Sequence, residues 1–228
     1  MNAADLLPWF FGLLGDAAPL VGVAPLLPLL AAAFLTLRLA SGAAHGDAQE
    51  PMTARCARLA AIGALAILLL LDLAALFGAL PTSVSYGHWL SISAVPVHLS
   101  FILDAYSLPA ATLVALIGWL ALRFSATYLH RERGFQRFFL GMSLFLAGML
   151  LIVLAGNAVL TFIGWELAGI SSWLLIAYAW ERPLAFGNAQ LVFLTNRVGD
   201  AGFLLGIGLA AWSLRSVDWL ALPGDGNE

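Results

Sequence analysis

An all-α membrane protein with about six transmembrane helices is what this sequence predicts, on three observations. Of its 228 residues, 62% are hydrophobic and only 10% are charged, against roughly 25% charged in a soluble domain. The apolar residues gather in runs close to the roughly 20 residues that a helix needs to cross a bilayer. All 10 basic residues other than histidine are arginine, and they concentrate where alternate runs end, as the positive-inside rule requires of cytoplasmic loops. No polar stretch is long enough to build a soluble catalytic domain, so no catalysis of its own is read from the chain.

Residues 1–17 contain Asp5-Leu-Leu-Pro-Trp-Phe-Phe-Gly-Leu-Leu-Gly15, too short to span and lacking the basic flank of a signal peptide. It reads as an interfacial helix with Trp9 at headgroup depth, or as an extension of the first span. Residues 18–80 hold two helices. The first, Pro19 to Ala40, carries Pro25 and Pro28 in its early turns, where a missing donor is tolerated or kinks the helix. A polar loop follows from Ser41 to Arg58, and the second helix, Leu59 to Leu80, contains Asp72.

Residues 81–98 alternate in short steps, as in Ser91-Ile-Ser-Ala-Val-Pro-Val97, and predict an extracytoplasmic loop or hairpin. Residues 99–214 hold four further helices: Leu99 to Leu122, Phe138 to Ala155, Ala158 to Trp180 and Asn188 to Leu214. Gly156-Asn157 is a tight turn that makes its flanking helices antiparallel neighbours. Residues 215–228 form a polar tail. Arg38, Arg55, Arg58, Arg123, Arg131, Arg133, Arg137 and Arg182 fall on one side and Arg215 on the other, which places both termini outside the cytoplasm.

Against this background Glu166, inside Thr161-Phe-Ile-Gly-Trp-Glu-Leu-Ala-Gly-Ile-Ser-Ser172, stands out. An ionised carboxylate in hydrocarbon costs a few kcal/mol or more, so it must find a partner or take up a proton. Arg197 and Asp200, three residues apart on the next helix, lie on nearly one face. From the assigned cytoplasmic ends, Glu166 falls about 21 Å along its helix, Asp200 about 18 Å and Arg197 about 14 Å, all within the membrane core. One guanidinium can neutralise one carboxylate, which leaves the other as a protonatable site. A static Arg197–Asp200 pair beside a permanently protonated Glu166 is the alternative.

Gly164, Gly169, Gly199, Gly202, Gly206 and Gly208 around these charges suit close helix approach or room for water. Thr161, Ser171, Ser172, Asn188, Gln190, Thr195 and Asn196 suit either a water chain or bonds to backbone carbonyls. Asp72 is a relay member or a neutral, internally bonded acid, and Asp104 a cap or loop anchor. His45, His88, His98 and His130 read as solvated, and Trp165, Trp173 and Trp180 as packing or interface residues. Cys56, the single cysteine, excludes an intrachain disulfide. No metal-ligand spacing, phosphate loop or dinucleotide fingerprint is present, so neither metal nor cofactor is expected, and no nucleic-acid partner.

The runs Phe101-Ile-Leu-Asp-Ala-Tyr-Ser-Leu108, Phe162-Ile-Gly-Trp-Glu-Leu-Ala-Gly-Ile-Ser-Ser-Trp-Leu-Leu-Ile176, Glu181-Arg-Pro183 and Asn196-Arg-Val-Gly-Asp200 resemble the antiporter-like, proton-conducting membrane subunits of NADH:quinone oxidoreductase (complex I). The distal chain-5 type and the Mrp-type cation/proton antiporters are the nearest in pattern. The resemblance implies two inverted five-helix repeats, of which these residues would supply most of the first. It also implies proton movement, or exchange for sodium, with Glu166 as the buried glutamate of the fifth helix and Arg197 and Asp200 as the charged pair after it. In that family the glutamate works against a lysine on a following interrupted helix, and this sequence contains no lysine. The expectation is the N-terminal portion of a longer subunit, a split gene product or a reduced relative. Its setting is the inner (plasma) membrane of a bacterium, among other membrane subunits of a larger complex. Other expectations remain: a structural or assembly subunit, or a membrane subunit of a hydrogenase-linked, Mrp-type or inorganic-carbon uptake complex.

Overall fold

The computed structural model describes residues 15–43, 46–92 and 95–221. The interfacial segment with Trp9, His45 and the polar tail from Pro223 lie outside the described residues. Among the described residues, six helices are long and apolar enough to cross a membrane: α1 (Val23–Ala40), α2 (Glu50–Leu76), α3 (Ser107–Tyr128), α4 (Phe135–Leu154), α5 (Ala158–Ile176) and α6 (Pro183–Ser213). Between α2 and α3 stands an antiparallel hairpin, β1 (Ser83–Ile92) and β2 (Val95–Ile102). The chain is an integral, multi-pass membrane protein.

The two largest departures from the hydropathy reading are helix starts. Helix α2 begins at Glu50, not Leu59, so Arg55 and Arg58 are helical. Pro51 suits a first turn, where its missing N–H is not needed, and the helix runs on past its apolar stretch. Helix α3 begins at Ser107, not Leu99, because β2 continues through Ile102. The apolar residues there, Phe101 and Ile102, are buried by the sheet and the helices beneath it.

Local chemistry ends and starts these elements. At the end of α2, Gly78 takes φ 66°, Ala79 N–H donates to Ala74 C=O at 3.0 Å and Gly78 N–H to Ala75 C=O at 2.9 Å. This paired closure needs a residue free of Cβ strain at that position. Before α3, the Asp104 carboxylate accepts from the N–H groups of Tyr106 (3.0 Å) and Ser107 (2.6 Å). Burial works to raise its pKa, but those bonds from Ser107 and Tyr106 outweigh it and hold the carboxyl below its ordinary range. A lowered pKa stabilises the fold above the ordinary carboxylate value and loses that contribution as pH falls through the lowered one. Asp104→Asn is therefore expected to reduce the thermal midpoint at neutral pH, with the deficit shrinking toward strong acid. A constant deficit across pH would contradict this.

Helices α1 to α4 enclose the main core, in which Phe139, Leu68, Leu71, Leu108, Leu122, Leu150 and Leu154 are almost fully buried. Helix α5 packs along α4, and α6 leans on α5 far more than on any other helix. The closest approach is between α4 and α5. A Cβ on Gly148 would lie 2.8 Å from the backbone of both Gly164 and Ala168, and one on Gly164 would lie 2.8 Å from Gly148 O. Because backbone cannot swing aside, Gly148→Ala is expected to cost about 1–3 kcal/mol by overpacking. An unchanged thermal midpoint in detergent would refute that. No such constraint holds Gly199, Gly202, Gly206 or Gly208, since a Cβ on each meets open space.

A second, small core lies at the hairpin end. Val95 and Val97 pack with Ala158, Ile207, Ala211 and Val217. Gly156 N–H donates to Ser100 C=O at 2.8 Å, and Ala158 N–H to Val217 C=O at 2.9 Å. The Tyr86 hydroxyl donates to Pro19 C=O and accepts from Gly22 N–H at 3.1 Å. The hairpin thus ties α1, the α4–α5 turn and the segment after α6 into one cap. At the opposite, arginine-rich end, Glu50 is 6% exposed. It accepts from Arg131 N–H at 2.9 Å and lies 2.7 Å from His130 Nδ1, so His130 is a partnered imidazole.

Candidate functional site

Glu166 projects from the middle of α5, about 15 Å from Ile176 and about 12 Å from Ala158 at 1.5 Å per residue. On α6, Arg197 lies about 21 Å and Asp200 about 26 Å from Pro183. These depths differ from the sequence estimates because α5 stops before Trp180 and α6 starts earlier than Asn188. Each of the three remains well inside its helix.

The structure brings Glu166, Arg197 and Asp200 together. Arg197 Nη1 donates to Glu166 Oε2 at 2.5 Å. Its Nε lies 3.2 Å from Asp200 Oδ2, an ion pair whose N–H is not aimed well enough for a hydrogen bond. The side chains of Asp200, Glu166 and Arg197 are 7%, 23% and 36% exposed. One guanidinium between two carboxylates balances only one of them and leaves one formal negative charge over. Between α5 and α6, then, one guanidinium serves two carboxylates that come from different helices.

Two aromatic residues complete it, and both escaped the reading from sequence. Trp165 Nε1 donates to Asp200 Oδ1 at 2.9 Å. The Arg197 guanidinium stands over the Phe193 ring, 4.6 Å from its centroid. The signals were present: an indole N–H beside Glu166 in an apolar run needs an acceptor, and Phe193 precedes Arg197 by one helical turn. Three of the smaller polar residues bond within their own helices. Thr161 donates to Asn157 C=O at 3.0 Å, Ser171 to Ala168 C=O at 2.9 Å and Thr195 to Leu191 C=O at 2.9 Å.

Asp72 stands apart from the triad. It accepts from Thr112 Oγ1 at 2.5 Å, linking α2 to α3, about 6 Å from the α2 end nearest the hairpin. Near that end Asp218 has its carboxyl pushed up by burial, partly offset by His98.

Known proteins resemble this chain in sequence or in fold. Residues 89–139 match the family described as NADH-ubiquinone oxidoreductase (complex I), chain 5 N-terminus, and residues 155–219 match NADH:quinone oxidoreductase/Mrp antiporter, TM. The second match contains the whole triad. The chloroplastic NAD(P)H-quinone oxidoreductase subunit 5 of Zygnema circumcarinatum is 34% identical over 87% of this chain and 28% of its own. NADH-quinone oxidoreductase subunit L of Neisseria meningitidis is 38% identical over 61% of this chain and 22% of its own. A chain in the structure of the membrane-bound sulfane sulfur reductase, an archaeal respiratory membrane complex, has the same fold. Its TM-score is 0.70 at 15% identity, over 87% of this chain and 38% of that one. The chain thus spans less than a third of the length of the two sequence relatives. With one match running from the hairpin through α3, another covering α5 and α6, and a shared helical fold, the chain belongs to the antiporter-like membrane subunits of the NADH:quinone oxidoreductase chain 5 and Mrp antiporter family.

Proposed function

We propose that this chain takes part in moving protons across the plasma membrane of a bacterium, as one subunit of a larger energy-converting complex with other membrane subunits. The observation that carries this reading is a single guanidinium shared between two carboxylates, 2.5 Å from Glu166 and 3.2 Å from Asp200, at mid-helix depth. When Arg197 swings toward Asp200, Glu166 loses its partner in a medium that penalises bare charge and takes up a proton. When a cation returns, Glu166 releases it. A proton suits the site better than sodium, because a guanidinium in contact with Glu166 repels a metal cation. The arginine-rich end faces the cytoplasm and the hairpin end faces outward, which puts both termini outside. Asp72 lies on a separate polar contact and would join the route only through water.

Coupled proton movement in sealed vesicles, followed by a pH-sensitive dye, tests the assignment. Glu166→Gln keeps the shape and removes the titrating group, so proton movement is expected to fall at least tenfold while the protein still assembles. Normal movement in an assembled variant would overturn the role of Glu166. A second reading rests on the Trp165–Asp200 bond and the ion pairs, which also fasten α5 to α6: an assembly subunit held together by charge. It requires Glu166→Gln to leave both assembly and transport intact.

A further inference from the structure

Away from the triad, three guanidiniums converge on one groove between α2 and α3, toward the arginine-rich end. Arg55, Arg58, Leu59 and Ile62 share one face of α2 at i, i+3, i+4 and i+7, and Trp119 and Arg123 share one face of α3 at i and i+4. Together these six residues line the groove, and no acid is among them. Arg123 stacks on the Trp119 ring, 5.5 Å from its centroid, and Arg58 Nε donates to Ala54 C=O at 3.1 Å. Among the described residues, none of these three arginines has a carboxylate within ion-pair distance, whereas Arg131, Arg137 and Arg197 each do.

Depth gives the groove a direction. Arg55 lies about 8 Å from the α2 start at Glu50 and Arg123 about 8 Å from the α3 end at Tyr128. Ile62 lies about 18 Å from Glu50, deeper in the membrane. Leu59 and Ile62 are 69% and 43% exposed, so the groove is cationic at its mouth and apolar below. We propose that it binds one anionic phospholipid of the surrounding bilayer. The phosphate sits among Arg55, Arg58 and Arg123, and an acyl chain lies along Leu59 and Ile62. Uncompensated positive charge at the membrane surface selects such a headgroup. A zwitterionic lipid brings an ammonium that three guanidiniums repel, and a free phosphate leaves the apolar floor uncovered.

The native assembly, extracted in mild detergent, is incubated with dioleoylphosphatidylglycerol or dioleoylphosphatidylcholine, and bound lipid is counted by native mass spectrometry. One phosphatidylglycerol per chain is expected to survive where phosphatidylcholine does not. Each arginine removed is expected to weaken binding about fivefold, and R55Q/R58Q/R123Q on the order of a hundredfold. R55K/R58K/R123K should retain the lipid, as should Arg215→Gln, a distant control. Equal retention of both lipids overturns the proposal, as does unchanged binding in the triple glutamine variant. Full displacement by millimolar inorganic phosphate would identify a free-anion site, and an acidic segment of a neighbouring subunit cross-linked into the groove would identify a protein contact; either also overturns it. The two-lipid comparison uses the unaltered complex, so it stands whether or not the variants assemble.

Discussion

Replacing Arg197 by alanine is expected to destabilise the protein by about 3 kcal/mol, the low end of the range for breaking a buried charge pair. The low end applies because the guanidinium is 36% exposed, while Asp200 is only 7% exposed. The loss comes less from the missing attraction than from two carboxylates left facing each other between α5 and α6. Thermal unfolding in detergent, with recovery of assembled protein, reads it directly. Arg197→Lys should recover only part, since one ammonium cannot reach both acids in the fork that a guanidinium offers. Combining Arg197→Ala with Asp200→Asn should cost less than the sum of the two changes, because the second removes the charge that the first strands. If Arg197→Ala unfolds at the wild-type temperature, the triad is not a coupled group and the proton-transfer reading loses its basis.

Asn157→Ala is expected to be about as damaging although it touches no charge. Asn157 is fully buried, at 0% exposure. Its Oδ1 accepts from Leu160 N–H at 2.9 Å, which caps α5. Its Nδ2 donates to His98 C=O at 2.7 Å and to Ser100 Oγ at 3.3 Å, which ties α5 to the hairpin. Losing a cap costs about 1 kcal/mol, and each buried backbone group left unpaired costs about 1–3 kcal/mol. A total of about 2–4 kcal/mol follows, read as a lowered thermal midpoint and faster hydrogen exchange at the first turn of α5. Asn157→Asp keeps the acceptor but loses the donor, so it should preserve the cap and still loosen the hairpin. Equal stability of Asn157→Ala and the unaltered chain would mean that the hairpin is held by its apolar contacts alone.

Much of the fold was legible in the sequence, and the exceptions have identifiable causes. Gly156-Asn157 read as a turn, because a short polar break between two apolar runs admits little else. That its asparagine also seizes the hairpin did not follow, since the hydrogen-bond partners at His98 and Ser100 are far away in sequence. Hydropathy started α2 at Leu59 and so put Arg55 and Arg58 in a loop. A helix is not obliged to end where its apolar stretch does, and these two arginines instead face Arg123 across a groove. Trp165 read as packing, because its acceptor sits on another helix.

The sequence by itself determined that the chain spans a membrane, how many helices do so, which end gathers the arginines and which acids are out of place. Those properties are local: hydropathy, charge and helical period are carried by neighbouring residues, and the cost of burying a carboxylate does not depend on where the other helices lie. Only the tertiary structure decided that Arg197 stands between Glu166 and Asp200, that Asp72 turns instead to Thr112, and that Gly148 and Gly164 carry the close helix contact while the glycines of α6 face open space. Which side chains meet is set by how helices rotate and lean on one another. That depends on packing summed over many residues distant in the chain, and no short stretch of sequence carries it.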